Sequence, residues 1–364
     1  MNTGRVIAFS MVALAAVSCE PDSLDDTVED SLPEETGDTV DTVDTVETGE
    51  TGETGDTDDP PLEGFWDTIN WTNVTDLDVT LDMDNAPTYS HWEIRMCTSP
   101  EGWGLGCDVY TRIAWGISSL GLAMHEDGLV LTGMPDIPTI DEAGVNLQPV
   151  QVHAFSTPDL EHWGTHIWSI ETTAKIDNLP IDVTMWTPPD GDVELVYYSM
   201  PIECTNDDPL LCPGPHSMRK AVYEDGAFVE VEQELYAAET LTDPTVCHDG
   251  DTYHMVFGVD GYVGHAVSDD GELYVDQWGD TWGGANVPYC FEHDDQIMAV
   301  AQGGGGWPPP VWLNLDENGQ FPEESQMLYS DADNLSFFGG SCTSPVLAYF
   351  QGLYVTFCAV QVNP

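Results

Sequence analysis

The sequence predicts an all-β protein whose main domain, residues 61–364, folds as a five-bladed β-propeller. Beyond residue 60, no long window shows sustained 3.6-residue apolar periodicity, so helices are not expected there. Short alternating runs are instead bounded by Gly, Pro and Asp-Gly turns, which is typical of strands. A hairpin pattern also recurs at intervals of about 45 to 62 residues, which suits one four-stranded blade per repeat.

The repeated unit begins with a short apolar strand, passes through an acidic turn and returns as an aromatic-rich strand. The two clearest copies also begin with an Asp, and they are "IDVTMWTPPDGDVELVYYS" from Ile181 and "TDPTVCHDGDTYHMVFG" from Thr242. Looser copies begin at Ser119, Val287 and Thr343. Each of the first four copies is followed by a second hairpin, which completes four strands per unit. The fifth copy reaches the end of the chain without one.

The missing hairpin of the fifth unit has a counterpart near the start of the domain. Residues 90–111 have the same outer-hairpin character as the second hairpins of the other units. We therefore predict that this N-terminal segment completes the last blade and closes the ring, which removes exposed sheet edges. A β-sandwich of similar strand count is the structural alternative, but it does not explain the register of the repeat.

Residues 1–18 have the pattern of an export signal. Arg5 precedes the apolar segment "VIAFSMVALAAVS", which is too short for a permanent membrane span. "AAVSC" resembles a bacterial lipobox, so Cys19 is the predicted lipidation site, and ordinary cleavage after Ala-Val-Ser is the alternative. We expect a protein exported to the bacterial outer membrane or cell surface and held there by its lipid alone, or a secreted protein if no lipid is attached.

Residues 19–60 form an acidic low-complexity linker behind the predicted lipid anchor. The tract is rich in Asp, Glu, Thr and Gly, with 17 acidic side chains and no Lys or Arg. Mutual repulsion and few large apolar groups predict an extended, disordered tether.

The charge of the whole chain excludes one class of partner and suggests no cofactor. Six Lys and Arg stand against 66 Asp and Glu, so phosphate backbones are repelled and nucleic-acid binding is not expected. Acidic runs lack the complete spacing of a calcium loop; a structural calcium ion is possible but not indicated. His125, His248 and His293 precede acidic turns and are interpreted as turn residues, so no metal ligand is assigned. We expect a monomer.

Nine cysteines become eight once Cys19 carries lipid, an even number that suits disulfides in an oxidising compartment. No CxxC or Cys/His spacing predicts zinc instead. Cys97 with Cys107, and Cys204 with Cys212, are close enough in sequence to clip loops. The sequence leaves open the pairing of the other four, which are Cys247, Cys290, Cys342 and Cys358.

These strands and turns resemble the five-bladed propellers of glycoside hydrolase families 43 and 32. The resemblance rests on the Asp-Pro-Thr-Val strand, the Asp-Gly turn, the Tyr-x-Met-x-Phe strand and the phrase "AFSTPDLEHW" at residues 154–163. It covers most of residues 90–361. It implies a pocket in which carboxylates begin the inner strands, one acting as general base or nucleophile and another as general acid.

Only part of that catalytic set is present. Asp243, followed by Pro244, matches an inner-strand carboxylate, and Asp182 matches a second although Val183 replaces the usual Pro. These two are the candidate catalytic residues. In the first blade, Ser119 and its neighbour Ser118 stand near the position where a base is expected.

The family's acid motif, Glu-Gly-Pro or Glu-Cys, begins no strand of this sequence. Glu239 lies four residues before the Asp-Pro pair, and Glu292 lies late in its strand, so neither is in register. Since glycoside hydrolysis needs two carboxylates in defined positions, the sequence favours a degenerate or strongly diverged site.

Tryptophans near strand starts and inter-blade loops are candidates for stacking against sugar rings, although packing between blades uses the same residue type. They are Trp115, Trp186, Trp282 and Trp307. The sequence therefore predicts an exported, lipid-anchored surface protein whose glycosidase-like propeller is a non-catalytic carbohydrate- or partner-binding module. The alternative is a diverged, family 43-like glycoside hydrolase that acts on a polysaccharide.

Overall fold

The computed structural model describes most of the compact unit Pro60–Pro364. The described residues are 64–76, 92–104, 107, 109–135, 150–171, 178–201, 216–238, 240–259, 262–276, 282–283, 285–294, 296–303, 311–314, 326–327 and 342–361. The predicted export signal, the lipidation site Cys19, the acidic linker, Cys204, Cys212 and Trp307 lie outside them. Within these ranges, no helix has the length and apolar character needed to cross a bilayer.

The described part of the chain contains one 3-10 helix, Phe65–Thr68, and 23 strands. The first twelve strands are β1 Thr75–Asp76, β2 Trp92–Ser99, β3 Thr111–Trp115, β4 Ile117–His125, β5 Gly128–Pro135, β6 Val150–Thr157, β7 His162–Glu171, β8 Asn178–Trp186, β9 Glu194–Pro201, β10 His216–Glu224, β11 Ala227–Glu230 and β12 Tyr236–Ala238. The others are β13 Thr242–His248, β14 Tyr253–Val259, β15 Tyr262–Ser268, β16 Val275–Asp276, β17 Trp282–Gly283, β18 Ala285–His293, β19 Gln296–Gly303, β20 Val311–Asn314, β21 Gln326–Met327, β22 Cys342–Phe350 and β23 Leu353–Gln361. The prediction of an all-β protein is confirmed.

The strands pair into four sheets. The largest has the order β4-β5-β6-β7-β11-β10-β9-β8, with β1 and β12 attached, and its two antiparallel halves meet where β11 pairs with β7 in parallel. The next two sheets are β13-β14-β15-β16, to which β17 is added, and β18-β19-β20-β21. The last has the order β22-β23-β2-β3, so strands from the beginning of the domain complete the sheet that the C-terminal strands begin.

Five strands, β4, β8, β13, β18 and β22, form a closed ring and are called the inner strands below. Each contacts the next one along the chain, and β22 contacts β4. Hydrogen bonds also join neighbouring members: Thr184 Oγ1 donates to the Pro244 carbonyl over 2.5 Å, and Cys290 N donates to Thr245 Oγ1 over 3.2 Å. The ring therefore brings the starts of all five inner strands to one end and their turns to the other.

The sheet that combines the N-terminal strands β2 and β3 with the C-terminal strands β22 and β23 contains a buried ion pair. Glu93 and Arg95 of β2 are 0% and 4% exposed, and Arg95 Nε donates to Glu93 Oε2 over 3.0 Å. Arg112 of β3 forms a second ion pair with Glu93. Arg95 also lies 4.4 Å from the centre of the Tyr110 ring. The buried carboxylate is thus compensated by two guanidinium groups, as burial of charge requires.

Three disulfides are present among the described cysteines. Cys97–Cys107 was predicted from its short spacing and is confirmed. The pairing that the sequence left open is Cys247–Cys290 and Cys342–Cys358. The former links the neighbouring inner strands β13 and β18, with 5.7 Å between the two Cα atoms.

Candidate functional site

Each inner strand contains a β-bulge near its beginning, where the pairing register with the next strand shifts. The first residue left out of the register in each bulge, called the bulge residue below, is Ser119, Asp182, Asp243, Val287 or Thr343. In the first four, φ is 51°, 50°, 48° and 50° respectively. The two predicted catalytic acids therefore occupy equivalent positions of neighbouring strands, and Ser119 occupies the same position of the first.

A left-handed backbone is uncommon outside glycine, and for a β-branched residue such as Val287 it is a strained outlier. Its repetition in four strands indicates that the ring imposes it, because local sequence preferences differ between Ser, Asp and Val. The bulge residues Ser119, Asp182, Asp243 and Val287 all line one small cavity at this end of the ring. The bulges thus gather side chains that are 44 to 63 residues apart in the chain.

The two acids differ in their hydrogen-bond partners. Ser119 Oγ donates to Asp182 Oδ1 over 2.6 Å. Part of Asp243 remains accessible to solvent, but desolvation of its carboxyl group by the surrounding strands raises its pKa well above the usual value. The charge of Asp182 raises the pKa further, against a hydrogen bond with Thr242 that lowers it. Asp243 therefore keeps its proton to a higher pH than an ordinary aspartic acid does.

Tyr198 lies near the acid pair on β9, the strand that pairs with β8. It is 1% exposed, and its ring stacks on His216 with 5.9 Å between centroids. Burial, followed by the charges of Asp182 and Asp243, raises the pKa of Tyr198 above its usual value, so the phenol stays neutral. The surroundings of the acid pair thus supply neutral groups.

The described basic side chains have glutamate partners. The described Lys and Arg side chains all form ion pairs with glutamates elsewhere: Arg95 and Arg112 with Glu93, Arg219 with Glu230 and Glu234, and Lys220 with Glu194 and Glu272. The cavity at the acid pair has a volume of about 10 Å³, which holds about one water molecule.

The ring opens widely at its other end. A cavity of about 910 Å³, called the wide cavity below, is lined by residues from the last turns of all five inner strands. These residues lie at or near the C-terminal end of each inner strand, and they include Met124 of β4, Trp186 of β8, His248 of β13, Phe291 of β18 and Tyr349 of β22. His248 follows Asp243 by five residues of the same strand, a separation of about 16 Å at about 3.3 Å per residue. Neither predicted catalytic acid lines this cavity.

Aromatic side chains form two parts of the wall of the wide cavity. On one side, Trp186 packs edge-on against Tyr253, whose ring centroid lies 4.4 Å from that of His248. On the other side, the rings of His293 and Tyr349 lie 5.4 Å apart. Tyr349 is 46% exposed, and Met124 at the same mouth is 39% exposed. Large apolar groups are thus presented to solvent at this end of the ring.

Carboxylates from two neighbouring turns also line the wide cavity. They belong to Asp249, which follows β13, and to Glu292 and Asp294 at the end of β18. Burial alone would raise the pKa of Asp249, but hydrogen bonds from the backbone N–H groups of Asp251 and Thr252, and from His254, lower it. Asp249 is therefore ionised at neutral pH.

The structure separates the predicted ligand-binding tryptophans. Trp186 lines the wide cavity, whereas Trp115 ends β3 in the last sheet, where it is paired with Glu93. Trp282 begins β17, and only its backbone is described. Tyr349 and Glu292 line the cavity but were not among the candidate binding residues. Their position just before a predicted hairpin turn was the available signal, since the repeat places all such turns at one end of the ring.

One group of described residues has the spacing of a metal site. One ligand atom each from His125, Glu126 and Asp127 lie within 4.8 Å of one another in the exposed turn after β4. His125 Nδ1 accepts a hydrogen bond from Asp127 N over 3.2 Å, and the imidazole stacks on Trp66 at 4.8 Å between centroids. These contacts orient His125 at the turn that joins β4 to β5.

No protein-family model and no curated protein matches the chain. Solved structures of both glycoside hydrolase families that the sequence resembles are similar to it. A GH32 β-fructofuranosidase from Bombyx mori, a variant in complex with sucrose, is 14% identical with a TM-score of 0.45 over 76% of this chain and 59% of its own. An exo-β-1,3-galactanase variant from Phanerochaete chrysosporium with β-1,3-galactotriose is 12% identical with a TM-score of 0.45 over 73% of this chain and 64% of its own.

A GH43 β-1,3-galactosidase with galactodeoxynojirimycin is 12% identical with a TM-score of 0.46, over 70% of this chain and 92% of its own. This chain thus spans less than two thirds of the length of the first two proteins. At these scores, the description of the fold rests on the strand order and ring of this chain itself.

Proposed function

We propose that this chain is an exported, lipid-anchored surface protein whose five-bladed β-propeller, residues 61–364, binds carbohydrate without cleaving it. Support for five blades comes from the five inner strands and from the antiparallel strands that follow each of them. Support for export and lipidation comes from the apolar segment and the Cys19 motif, and the acidic linker serves as the spacer between membrane and propeller.

The observation that carries the proposal is the separation of the two ends of the ring. The acid pair Asp182 and Asp243 lies at a cavity with room for about one water molecule, and Ser119 replaces a carboxylate there. Hydrolysis requires that a sugar linkage reach both acids. The wide cavity at the other end of the ring is lined by aromatic and polar groups.

The lining of the wide cavity suits an oligosaccharide. Its volume of about 910 Å³ lies in the upper part of the range of small-molecule sites, about 300–1,000 Å³. Aromatic faces such as that of Tyr349 pack against the C–H face of a sugar, while carboxylates accept hydrogen bonds from its hydroxyls. Trp186 is 9% exposed, and its Nε1–H has no acceptor among the described residues. A ligand hydroxyl that reached this donor would remove the cost of an unpaired buried group.

A panel of neutral and charged oligosaccharides tests the proposal, with binding measured by tryptophan fluorescence and product release by chromatography. We expect at least one class to bind the full-length protein and to be recovered intact. Tyr349→Ala should weaken binding about tenfold, a loss of about 1.4 kcal/mol. Tyr262→Ala is the matched control, because Tyr262 is equally exposed, at 47%, and does not line the cavity. Absence of binding across the panel would contradict the proposal.

A second candidate function, a diverged glycoside hydrolase, is favoured by one observation. Burial and the charge of Asp182 raise the pKa of Asp243, and a general acid in glycoside hydrolysis needs a raised pKa. Ser119, at the equivalent position of β4, leaves this pair without the carboxylate that the resemblance places there. Release of sugar that Asp243→Asn abolishes would establish hydrolysis and replace the non-catalytic function.

A further inference from the structure

We infer that the wide cavity selects glycans that carry free amino groups over the corresponding acetylated and neutral glycans. This inference rests on the proposed carbohydrate-binding function and names its ligand class. An unacetylated amino sugar combines a ring face that packs against aromatic groups with an ammonium group that pairs with carboxylates. The wide cavity presents both kinds of partner, as the following contacts show.

The charge of the cavity has one sign. Asp249, Glu292 and Asp294 line it, and no Lys or Arg is among its described lining residues. Two histidines also line the cavity: His248 Nδ1 accepts a hydrogen bond from Gly250 N over 3.0 Å, and His293 Nε2 lies 3.4 Å from Asp294 Oδ2. A cationic ligand therefore meets three carboxylates and no described Lys or Arg side chain in this cavity.

Glu292 is the carboxylate most available to a ligand. Its side chain is exposed, and no described residue donates a hydrogen bond to it. Asp249, by contrast, accepts from Asp251 N over 3.0 Å and Thr252 N over 2.8 Å, and its second oxygen lies 3.2 Å from His254 Nε2. Asp249 thus has a structural role as well, whereas the carboxylate of Glu292 makes no hydrogen bond or ion pair with the described residues.

The disulfide Cys247–Cys290 fixes the relative position of these two carboxylates. Asp249 follows Cys247 by two residues, and Glu292 follows Cys290 by two residues, on neighbouring inner strands whose Cα atoms are 5.7 Å apart at the disulfide. The backbone that carries the acidic part of the wall is therefore held in place before a ligand arrives. Pre-organisation of this kind lowers the entropic cost of binding.

The arrangement fits an extended polycation better than a metal ion. Among the described residues, the group with ligand atoms close enough for one ion is that of His125, Glu126 and Asp127, outside this cavity. The carboxylates of the wide cavity do not converge in that way. Separated carboxylates around an aromatic-lined space of about 910 Å³ match charges that are spaced along a chain of sugar rings.

Calorimetric titration of the full-length protein with three β-1,4-linked hexamers tests this inference: glucosamine, N-acetylglucosamine and glucose. At a slightly acidic pH that protonates the amines, we expect the glucosamine hexamer to bind at least about tenfold more tightly than the other two. Glu292→Gln should remove most of that preference while leaving the affinity for the neutral hexamers nearly unchanged. Glu161→Gln, in the exposed turn between β6 and β7, is the control and should keep the preference.

The possible results separate this inference from the function on which it rests. Equal affinity for the three hexamers would overturn the preference for amino groups and leave carbohydrate binding intact. A preference that survives Glu292→Gln would overturn the assignment to this cavity. Absence of binding to all three hexamers and to the wider panel would overturn both proposals.

Discussion

Ser119 Oγ donates a hydrogen bond to Asp182 Oδ1 over 2.6 Å, joining the bulge residues of two neighbouring inner strands. The residues are 63 positions apart, and each has a left-handed backbone. The resemblance to glycoside hydrolases places a carboxylate base near the position of Ser119. In this protein, a hydroxyl at that position satisfies the neighbouring acid instead, so the contact stabilises the ring where a catalytic pair is expected.

Ser119→Ala removes this donor from a buried position. Because Ala and Ser have similar costs at φ 51°, the change isolates the hydrogen bond rather than the backbone. We expect a loss of about 1.5–3 kcal/mol in the free energy of unfolding, as for other hydrogen bonds to charged groups. Denaturant unfolding measures it, with Ser169→Ala in the half-buried part of β7 as the control. Equal, small losses in both variants would show that the contact is unimportant.

Asp243→Asn should stabilise the protein at neutral pH. The folded state raises the pKa of this carboxyl through burial and the charge of Asp182, so unfolding releases a proton above about pH 4. The resulting loss of stability grows as pH rises from there toward the raised pKa. The amide cannot ionise, and each kcal/mol recovered raises Tm by about 2–4 °C for a domain of this size. We expect the variant to have a higher Tm than the wild type at pH 7 and the same Tm at pH 4. An equal gain in Tm at both pH values would contradict this prediction.

The buried pair His254 and His265 should make the fold acid-sensitive. Nδ1 of the former lies 3.1 Å from Nε2 of the latter. Burial, followed by the charge of His254, lowers the pKa of His265 to about 3. Burial also lowers the pKa of His254, whose neighbours are Asp249 and His248. The free energy of unfolding is therefore highest above pH 6.5. It falls as the pH drops toward the folded pKa values, because the unfolded state binds protons that the folded state does not.

Unfolding by denaturant at several pH values measures this dependence. From pH 6.5 to pH 5, His265 alone should cost about 2 kcal/mol, at about 1.4 kcal/mol per pH unit. His265→Gln cannot be protonated, so the slope of stability against pH should become shallower in this range, whatever the change in absolute stability. Parallel pH profiles for the variant and the wild type would contradict the assignment.

Glu93→Gln should be far more harmful than the loss of an exposed ion pair. Glu93 is fully buried and pairs with Arg95 and Arg112 in the sheet that joins the two ends of the domain. Removing its charge leaves Arg95 buried and uncompensated, at a cost of about 3–5 kcal/mol. Glu234→Gln is the control: this partner of Arg219 is 52% exposed, and its loss should cost less than about 1 kcal/mol. Similar Tm changes in the two variants would be the contrary result.

The equivalence of Asp182 and Asp243 could be predicted from the sequence, because aligning the copies of the repeated hairpin shows which residues occupy the same position. Each is the acid at the beginning of its copy of the repeated hairpin, and the structure places each in the bulge of its own inner strand. The position of Ser119 followed from the same register. These are local relationships between residues and strand starts, and a repeat fixes them without knowledge of the packing.

The width of the ring at its two ends could not be predicted in this way. It depends on how side chains from five distant strands pack around one axis, and no short stretch of sequence carries that information. The pairing of Cys247 with Cys290, 43 residues apart, was open for the same reason. Glu292 was not assigned as a catalytic acid because it is out of register for that role. Its position near the C-terminal end of β18 is what places it at the wide cavity.

The most direct test of binding at the wide cavity compares the two ends of the ring in one titration experiment. The dissociation constant of the best-binding oligosaccharide is measured for wild type, for Tyr349→Ala and for the double variant Asp182→Asn with Asp243→Asn. We expect Tyr349→Ala to weaken binding about tenfold and the double variant to bind as the wild type does. Loss of binding in the double variant, with normal binding in Tyr349→Ala, would place the carbohydrate at the acid pair and contradict a non-catalytic site at the wide cavity.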